Sequence, residues 1–412
     1  MKPSILFVDD QNNILQSLRR SLRGLDKEWN IHYANGGSEA LNFMDETHVD
    51  VVISDTNMPG MRGTELLSEI RSQYPHTIRL VLSGGCRNDD ISLLLRTSHQ
   101  FFPKPFDIDK LKATVEHLLR LKNKIKNPKV QDKVASISKL PCSPNIHGRF
   151  YKELDNVAPD LNELGACISH DVGLTAKLLQ SLNSTFFGVN KAGIHPNRAV
   201  RVMGPGTISH LFLDSMHFET LDESHANYTV ISEVYRQSLH AALLAKEIAK
   251  DEGLSSEDQD LAFTAGMLHD IGVIVLATEM VDEFNEIKSS FTLGSEEELK
   301  AEVNAFGNNH CDIGAYFLGL WGFPKQLISA VAYHQNPSLD ESDAINLTTI
   351  AHIAQAFAQS NDETTQEAAL DKNYLESLGI YGNISQWRAA HNQVLSLPIW
   401  QTWRFSDQTN AA

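Results

Sequence analysis

The chain has 412 residues, of which 42% are hydrophobic, and carries a formal net charge of −17. This length predicts two or three domains with sizeable cores, and without an unbroken run of about 18 apolar residues no membrane span is expected. The charge is uneven: residues 1–120 hold 14 Lys+Arg against 16 Asp+Glu, net −2, and the remainder holds 21 against 36, net −15, a balance that disfavours non-specific contact with nucleic acid or anionic membrane.

The chain opens on "MKPSILFVDD", which reaches Asp9 and Asp10 too soon for a secretory signal. From residue 4 to 104, apolar runs alternate with helical patterns. The runs are "ILFVD" (5–9), "IHYA" (31–34), "VDVVISD" (49–55), "IRLVLS" (78–83) and "QFFPK" (100–104). Five short strands separated by helices predict a doubly wound parallel sheet. A last helix runs from Asp107 to near Ile125, with Leu111, Val115, Leu118 and Leu119 on one side. The first domain is therefore placed at 1–122. Residues 123–139 are polar, lysine-rich and contain Pro128, and read as a linker. From 140 to 405 helical periodicity dominates and no strand alternation is visible, so an all-α second domain is expected. Within it, "SEEELKAE" (295–302) reads as a solvated helix start capped by Ser295. Trp387, Trp400 and Trp403 suggest a closing hydrophobic cap, and the tail beyond Phe405 reads as loose. Cys86, Cys142, Cys167 and Cys311 form no CxxC pair, which points to a reducing compartment, the cytoplasm, rather than to a disulfide framework.

In a parallel sheet the carboxyl ends of all strands share one edge, where ligands bind. Here those ends carry Asp9 and Asp10, then Asp55, then Ser83, then Lys104. Converging carboxylates repel one another, so a hard divalent cation such as Mg²⁺ is the natural neutraliser. A carboxylate flanked by a hydroxyl and an ammonium suits in-line transfer of a phosphoryl group to Asp55. Any one of these residues alone would be an ordinary polar strand end; four matching chemistries on one edge are not.

These residues resemble the receiver domain of two-component response regulators, and the similarity spans 1–122. "FVDD" matches the acidic pair, "ISDTNMPGM" the segment around the phosphoacceptor Asp55, "VLSGG" the switch hydroxyl Ser83, and "FFPKPF" the lysine Lys104. The resemblance implies a flavodoxin-like fold and a cis bond before Pro105. It implies Mg²⁺ held by Asp10, Asp55 and the backbone carbonyl of Asn57, with Asp9 assisting, and a switch aromatic at Phe101. It further implies a sensor histidine kinase or phosphotransfer protein as donor and a homodimer formed through the receiver.

In the helical part, "AGMLHDIG" (265–272) sets His269 and Asp270 in an apolar helix, a costly placement unless the two pair or bind metal. His240, His310, His334 and His352 also punctuate apolar helices. Together they form a candidate site for a divalent transition metal, whose bound water could attack a phosphodiester; taken singly, each is more often a satisfied core histidine. The order resembles the HD superfamily of metal-dependent phosphohydrolases. The wider segments "LTAKLLQSLNSTFFG", "AFTAGMLHDIGVIVL" and "FGNNHCDIGAYFLGLWGFPKQLISAVAYHQNP" resemble its HDOD relatives. That resemblance implies a mostly non-catalytic output module engaging a protein partner. The alternative is a receiver-gated phosphodiesterase acting on a cyclic dinucleotide. Against it, Tyr333–His334 stands where active relatives carry two histidines, no GYP follows, and His352 stands where a late Asp is expected. No helix-turn-helix or basic stripe is found, so direct DNA binding is not expected.

Overall fold

The computed structural model describes residues 2–84, 88–183, 195–213, 218–360 and 362–405, with no side-chain description for 88–92, 213, 218 and 219. The first domain contains β1 (Ser4–Val8), α1 (Asn12–Ser21), β2 (Asn30–Ala34), α2 (Gly37–Glu46), β3 (Val51–Asp55), α3 (Gly63–Gln73), β4 (Ile78–Ser83), α4 (Asn88–Thr97), β5 (Gln100–Pro103) and α5 (Ile108–Lys124). The strands pair in parallel in the order β2-β1-β3-β4-β5, as the alternation of apolar runs and helices predicts. β1, β3 and β4 are buried along their whole length. Such strands lie between two helical layers and so read as unbroken apolar runs.

The expected linker is largely a helix. α6 (Pro128–Ser136) starts with Pro128 in its first turn and with the Asn127 side chain capping Lys129 N, and it buries Val130, Val134 and Ala135. Proline at that position costs no hydrogen bond and starts a helix rather than breaking one.

The second domain follows as β6 (Leu140–Cys142), α7 (Pro144–Leu154), α8 (Leu161–Ser169), α9 (Val172–Asn183), α10 (Pro196–Met203), α11 (Pro205–Leu213), β7 (Phe218–Thr220), α12 (Tyr228–Asp251), α13 (Ser256–Leu268), α14 (Ile271–Glu279), α15 (Val281–Ile287), α16 (Glu296–Phe306), α17 (His310–Leu320), α18 (Lys325–Tyr333) and α19 (Leu347–Ala358). Four further α-helices and a 3-10 turn complete the described chain, and Trp387 and Trp403 are buried there. The domain is mostly helical but not purely so: β6 and β7 form a parallel pair. Strands of three residues are too short to display a period of two, so the sequence pattern misses them. The stretch Ser256–Glu279 is long and apolar enough to cross a membrane by composition, but 89% of its apolar window is buried inside the protein. Cys142, Cys167 and Cys311 are buried and free; Cys86 and the tail beyond Phe405 lie outside the described residues.

The two domains join through a cationic seam. Arg79 on β4 is 2% exposed and donates to the carbonyls of Thr97, Thr77 and Ala135 at 2.7, 3.0 and 2.6 Å. The Nδ1 of His99 accepts the backbone N–H of Arg79, so its Nε2–H donates to the Ala135 carbonyl at 3.0 Å. Arg71 donates to the Ser136 carbonyl and to Ser138 Oγ. These donors serve the carbonyl end of α6, where a helix accumulates negative partial charge. From the other side Lys177 of α9, fully buried, donates to the carbonyls of Leu95 and Ser138 at 3.2 and 3.1 Å, with the Trp321 ring 5.0 Å away.

Burial pushes the Lys177 ammonium down from its ordinary 10.5 to about 7, and Arg71 and Arg96 add repulsion. A lysine depressed in the native state carries more protons when unfolded between those two values, so stability rises as pH climbs from 7 toward 10.5. The burial penalty is complete below pH 7. The rise contributed by this residue is at most about 1.4 kcal/mol per pH unit. Urea midpoints at pH 7 and 9.5 should show an upward shift in the wild type that Lys177→Met lacks; equal shifts in both proteins would refute the assignment.

Candidate functional site

Sheet register sets the first site. β1, β3 and β5 end at one edge of the sheet, β4 lying between the last two, with Asp9 just past β1, Asp55 closing β3 and Lys104 just past β5. The Lys104 ammonium bonds Asp9 Oδ2 at 2.7 Å and also bonds Asp55 Oδ1. Asp55 Oδ2 accepts the backbone N–H of Asn57 at 2.7 Å, and Asp9 Oδ1 accepts that of Gln11 at 2.9 Å. Burial works against the Lys104 charge, but the Asp55 and Asp9 carboxylates outweigh it and hold the ammonium above its usual pKa. Gly63 fits this edge because a Cβ there would lie 2.0 Å from the Asp55 carbonyl oxygen. The Lys104–Pro105 bond is cis.

Asp55 is only 6% exposed, and Asp10, which is half-buried, has an Oδ1 with no hydrogen-bond partner among the described residues. That orphaned oxygen, on the residue after Asp9 at the same sheet edge as Asp55, offers a hard donor of the kind Mg²⁺ takes. Ser83 is buried at the end of β4, opposite Pro103 in register, and its carbonyl accepts Lys104 N at 2.7 Å. Phe101, 7% exposed, lines a crevice of about 600 Å³ shared with Phe106, His117, Asn183, Gly319 and Pro324. The crevice is thus walled by both domains. Beside it the Gln100 amide donates to the Gly319 carbonyl at 2.7 Å, and Leu121 of α5 packs against Gly319.

The second site gathers four of the six residues the sequence suggested. His269 and Asp270 occupy the junction of α13 and α14, His310 starts α17 and His334 follows α18. His269 Nε2 lies 3.0 Å from Asp270 Oδ2, while His334 Nε2 and His310 Nε2 lie 3.3 and 3.5 Å from Asp270 Oδ1. Burial alone would raise the Asp270 carboxyl, but the His269 ring leads the interactions that hold it well below the usual range. Gly272 makes this approach feasible, since a Cβ there would meet the His310 carbonyl oxygen at 1.9 Å.

His240 and His352 do not belong to the cluster. His240 stacks on His391 with ring centroids 4.9 Å apart, a buried aromatic contact on α12. His352 has both nitrogens engaged, Nδ1 with the His334 carbonyl and Nε2 with Asp371 N, each at 2.8 Å. Its place is structural, bracing the segment that carries His334.

Two residues of the cluster escape sequence reading. Glu298 and Glu302 are 1% and 0% exposed, so "SEEELKAE" is solvated on one side only, although Ser295 does cap the helix. Glu302 Oε2 accepts both the backbone N–H and the Nδ1–H of His310 at 2.8 Å. Burial pushes the Glu298 carboxyl up to about 8. The available signal is spacing: Glu298, Glu302 and Phe306 recur every four residues and share the buried face of α16. Cys311 also sits against His310 and His334.

Comparison with known proteins agrees with both halves. The response regulator receiver domain model matches residues 5–116 and the HDOD domain model matches residues 140–337. An uncharacterized protein of Treponema pallidum (strain Nichols) is 24% identical over 238 residues, 56% of this chain and 44% of that protein. Regulatory protein AtoC of Escherichia coli (strain K12) is 33% identical over 122 residues, 29% of this chain and 26% of that protein. The chain therefore spans less than half the length of either curated relative. Among solved structures, the signal receiver domain of an HD domain-containing protein from Pseudomonas fluorescens Pf-5 is 33% identical, covering 29% of this chain and 96% of that one, with a TM-score of 0.28. With the strand-end geometry and the helical domain behind it, the two family-model matches show that the chain is a response regulator, a receiver domain followed by an HDOD output domain.

Proposed function

We propose that this chain relays a phosphorylation signal, with Asp55 accepting a phosphoryl group from a histidine kinase or phosphotransfer protein and the HDOD domain presenting the result to a protein partner. The observation that carries this reading is the convergence of Asp9, Asp55 and Lys104 at one sheet edge. In the transfer an Asp55 carboxylate oxygen forms the new bond to phosphorus while the bond from phosphorus to the donor nitrogen breaks, and that nitrogen takes up a proton. Asp10, Asp55 and the Asn57 carbonyl would hold Mg²⁺, with Asp9 assisting, and the bound ion would neutralise phosphoryl oxygens. Lys104, freed from one carboxylate contact, would pair with the incoming group, and Ser83 would donate a hydrogen bond to it.

Readout follows from the seam. Movement of Ser83 and Phe101 would alter the crevice that the receiver shares with α17, because Gln100 and α5 already contact that helix. The α4–β5–α5 side is occupied by the chain's own HDOD domain, so a receiver homodimer would use another face or displace those helices. The reading places the protein in the cytoplasm, where its kinase would act.

Incubation with acetyl phosphate and Mg²⁺, followed by intact-mass measurement, tests the assignment. The wild type should gain one phosphoryl group and Asp55→Asn none. Full labelling of Asp55→Asn would overturn the reading.

A further inference from the structure

The two domains enclose a crevice of about 600 Å³, within the range of about 300–1,000 Å³ that holds small ligands. Its apolar walls are aromatic: Phe101 on β5, Phe106 after it and Phe323 just before α18. Its polar lining is Lys110 and His117 of α5, Asn183 at the end of α9 and Lys325 at the start of α18. The crevice lies at the Gly319 end of α17, away from the histidine cluster at the His310 end.

Surfaces that meet inside a protein ordinarily pair the polar atoms they cover. Here Asn183 Oδ1, Asn183 Nδ2 and His117 Nε2 are buried and make no hydrogen bond among the described residues. Positive charge is also left over. Among the described residues neither Lys110 nor Lys325 is ion-paired. The lining's one carboxylate, Asp107, caps α5 by accepting Asp109 N and Lys110 N at 2.8 and 3.2 Å. Burial, then repulsion from Lys325, Arg120 and Lys124, lowers the His117 ring to about 4, so at neutral pH it adds no charge and can donate or accept.

An occupant that answers these groups is flat for the ring faces and anionic for two ammonium groups. At one edge it carries a donor beside an acceptor. Phenylalanine faces take stacked rings. A primary amide pairs with the neighbouring donor and acceptor on a purine edge, as asparagine does with adenine. A neutral apolar compound leaves the lysines uncompensated, and a bare oxyanion leaves the rings and the amide unused.

We propose that this crevice binds a purine nucleoside monophosphate, its phosphate on Lys110 and Lys325 and its base against the phenylalanine rings and Asn183. The lining includes none of Asp9, Asp55 and Lys104, so the site is independent of the phosphorylation reading.

Calorimetric titration of the unphosphorylated full-length protein with AMP, GMP, adenosine and inorganic phosphate tests this. AMP or GMP should bind at one per chain, at least tenfold more tightly than adenosine or phosphate alone. Replacing both lysines, Lys110→Ala with Lys325→Ala, should weaken the nucleotide at least tenfold and leave adenosine unchanged. Asn183→Leu should weaken nucleotide and adenosine together, with helical circular dichroism retained in both variants. Absence of binding by AMP and GMP at millimolar concentration overturns the proposal, and this wild-type result stands whether or not the variants fold. Phosphate binding as tightly as either nucleotide marks a site for bare anions and overturns it as well. Wild-type nucleotide affinity in the double-lysine variant overturns the assigned phosphate contacts.

Discussion

Gly272→Ala is expected to destabilise the HDOD domain by about 3 kcal/mol. Two effects oppose each other at this position. Alanine in a helix is favoured over glycine by about 1 kcal/mol. Against that, the new Cβ would lie 1.9 Å from the carbonyl oxygen of His310 and 2.7 Å from its carbon. These are backbone atoms, so no rotamer change relieves the overlap, and α14 and α17 must separate. Separation also draws His310 away from Asp270, the pair now 3.5 Å apart. Gly148, inside α7 with nothing within 4 Å of an added Cβ, is the control: Gly148→Ala should be neutral or slightly stabilising. Urea unfolding followed by circular dichroism measures both, and an unchanged midpoint for Gly272→Ala would sink the close-crossing argument.

Arg79→Met should cost a comparable amount at the domain seam. The guanidinium is fully buried with no carboxylate bonded to it, and burial together with Arg71 lowers its pKa to about 9. Removing a buried cation gives back part of its desolvation cost. The carbonyls of Thr97 and Thr77 then lose their donor, at about 1–3 kcal/mol for each buried acceptor left unsatisfied, and the Ala135 carbonyl keeps only the His99 ring. The acceptors are main chain and cannot be replaced by apolar groups, so the loss wins, by about 3 kcal/mol net. Because Ala135 belongs to α6, limited proteolysis should cut near residues 126–139 in the variant and spare the wild type. Equal urea midpoints and equal cleavage rates in the two proteins would contradict this role.

The receiver was legible because its chemistry lies at strand ends. "FVDD", "VVISD" and "QFFPK" each finish an apolar run with a charged residue, and parallel pairing brings those ends together. The HDOD site was only partly legible. His269 and Asp270 stand out because no other titratable residue interrupts the run from Leu261 to Thr278. His240 and His352 look the same in sequence, yet one stacks on His391 and the other is held by His334 and Asp371; helix phase relative to the core decides, and one chain does not reveal it. Glu298 and Glu302 hide inside an acidic helix start, where carboxylates are common for their interaction with the helix dipole. Lys177 and Arg79 resemble surface cations until each is covered at the seam between the two domains. α6 was obscured by Pro128, a residue that breaks helices in their interior and opens them at their first turn.

α17 touches both the histidine cluster and the receiver domain. Its first residue, His310, faces Asp270, and Gly319 near its far end meets Gln100 and Leu121 of the receiver, a reach of about 14 Å along the helix. A rod loaded at both ends transmits in either direction, and equilibrium thermodynamics makes the exchange symmetrical. If phosphorylation at Asp55 shifts α17, whatever alters the histidine cluster must act back on the receiver by the same factor.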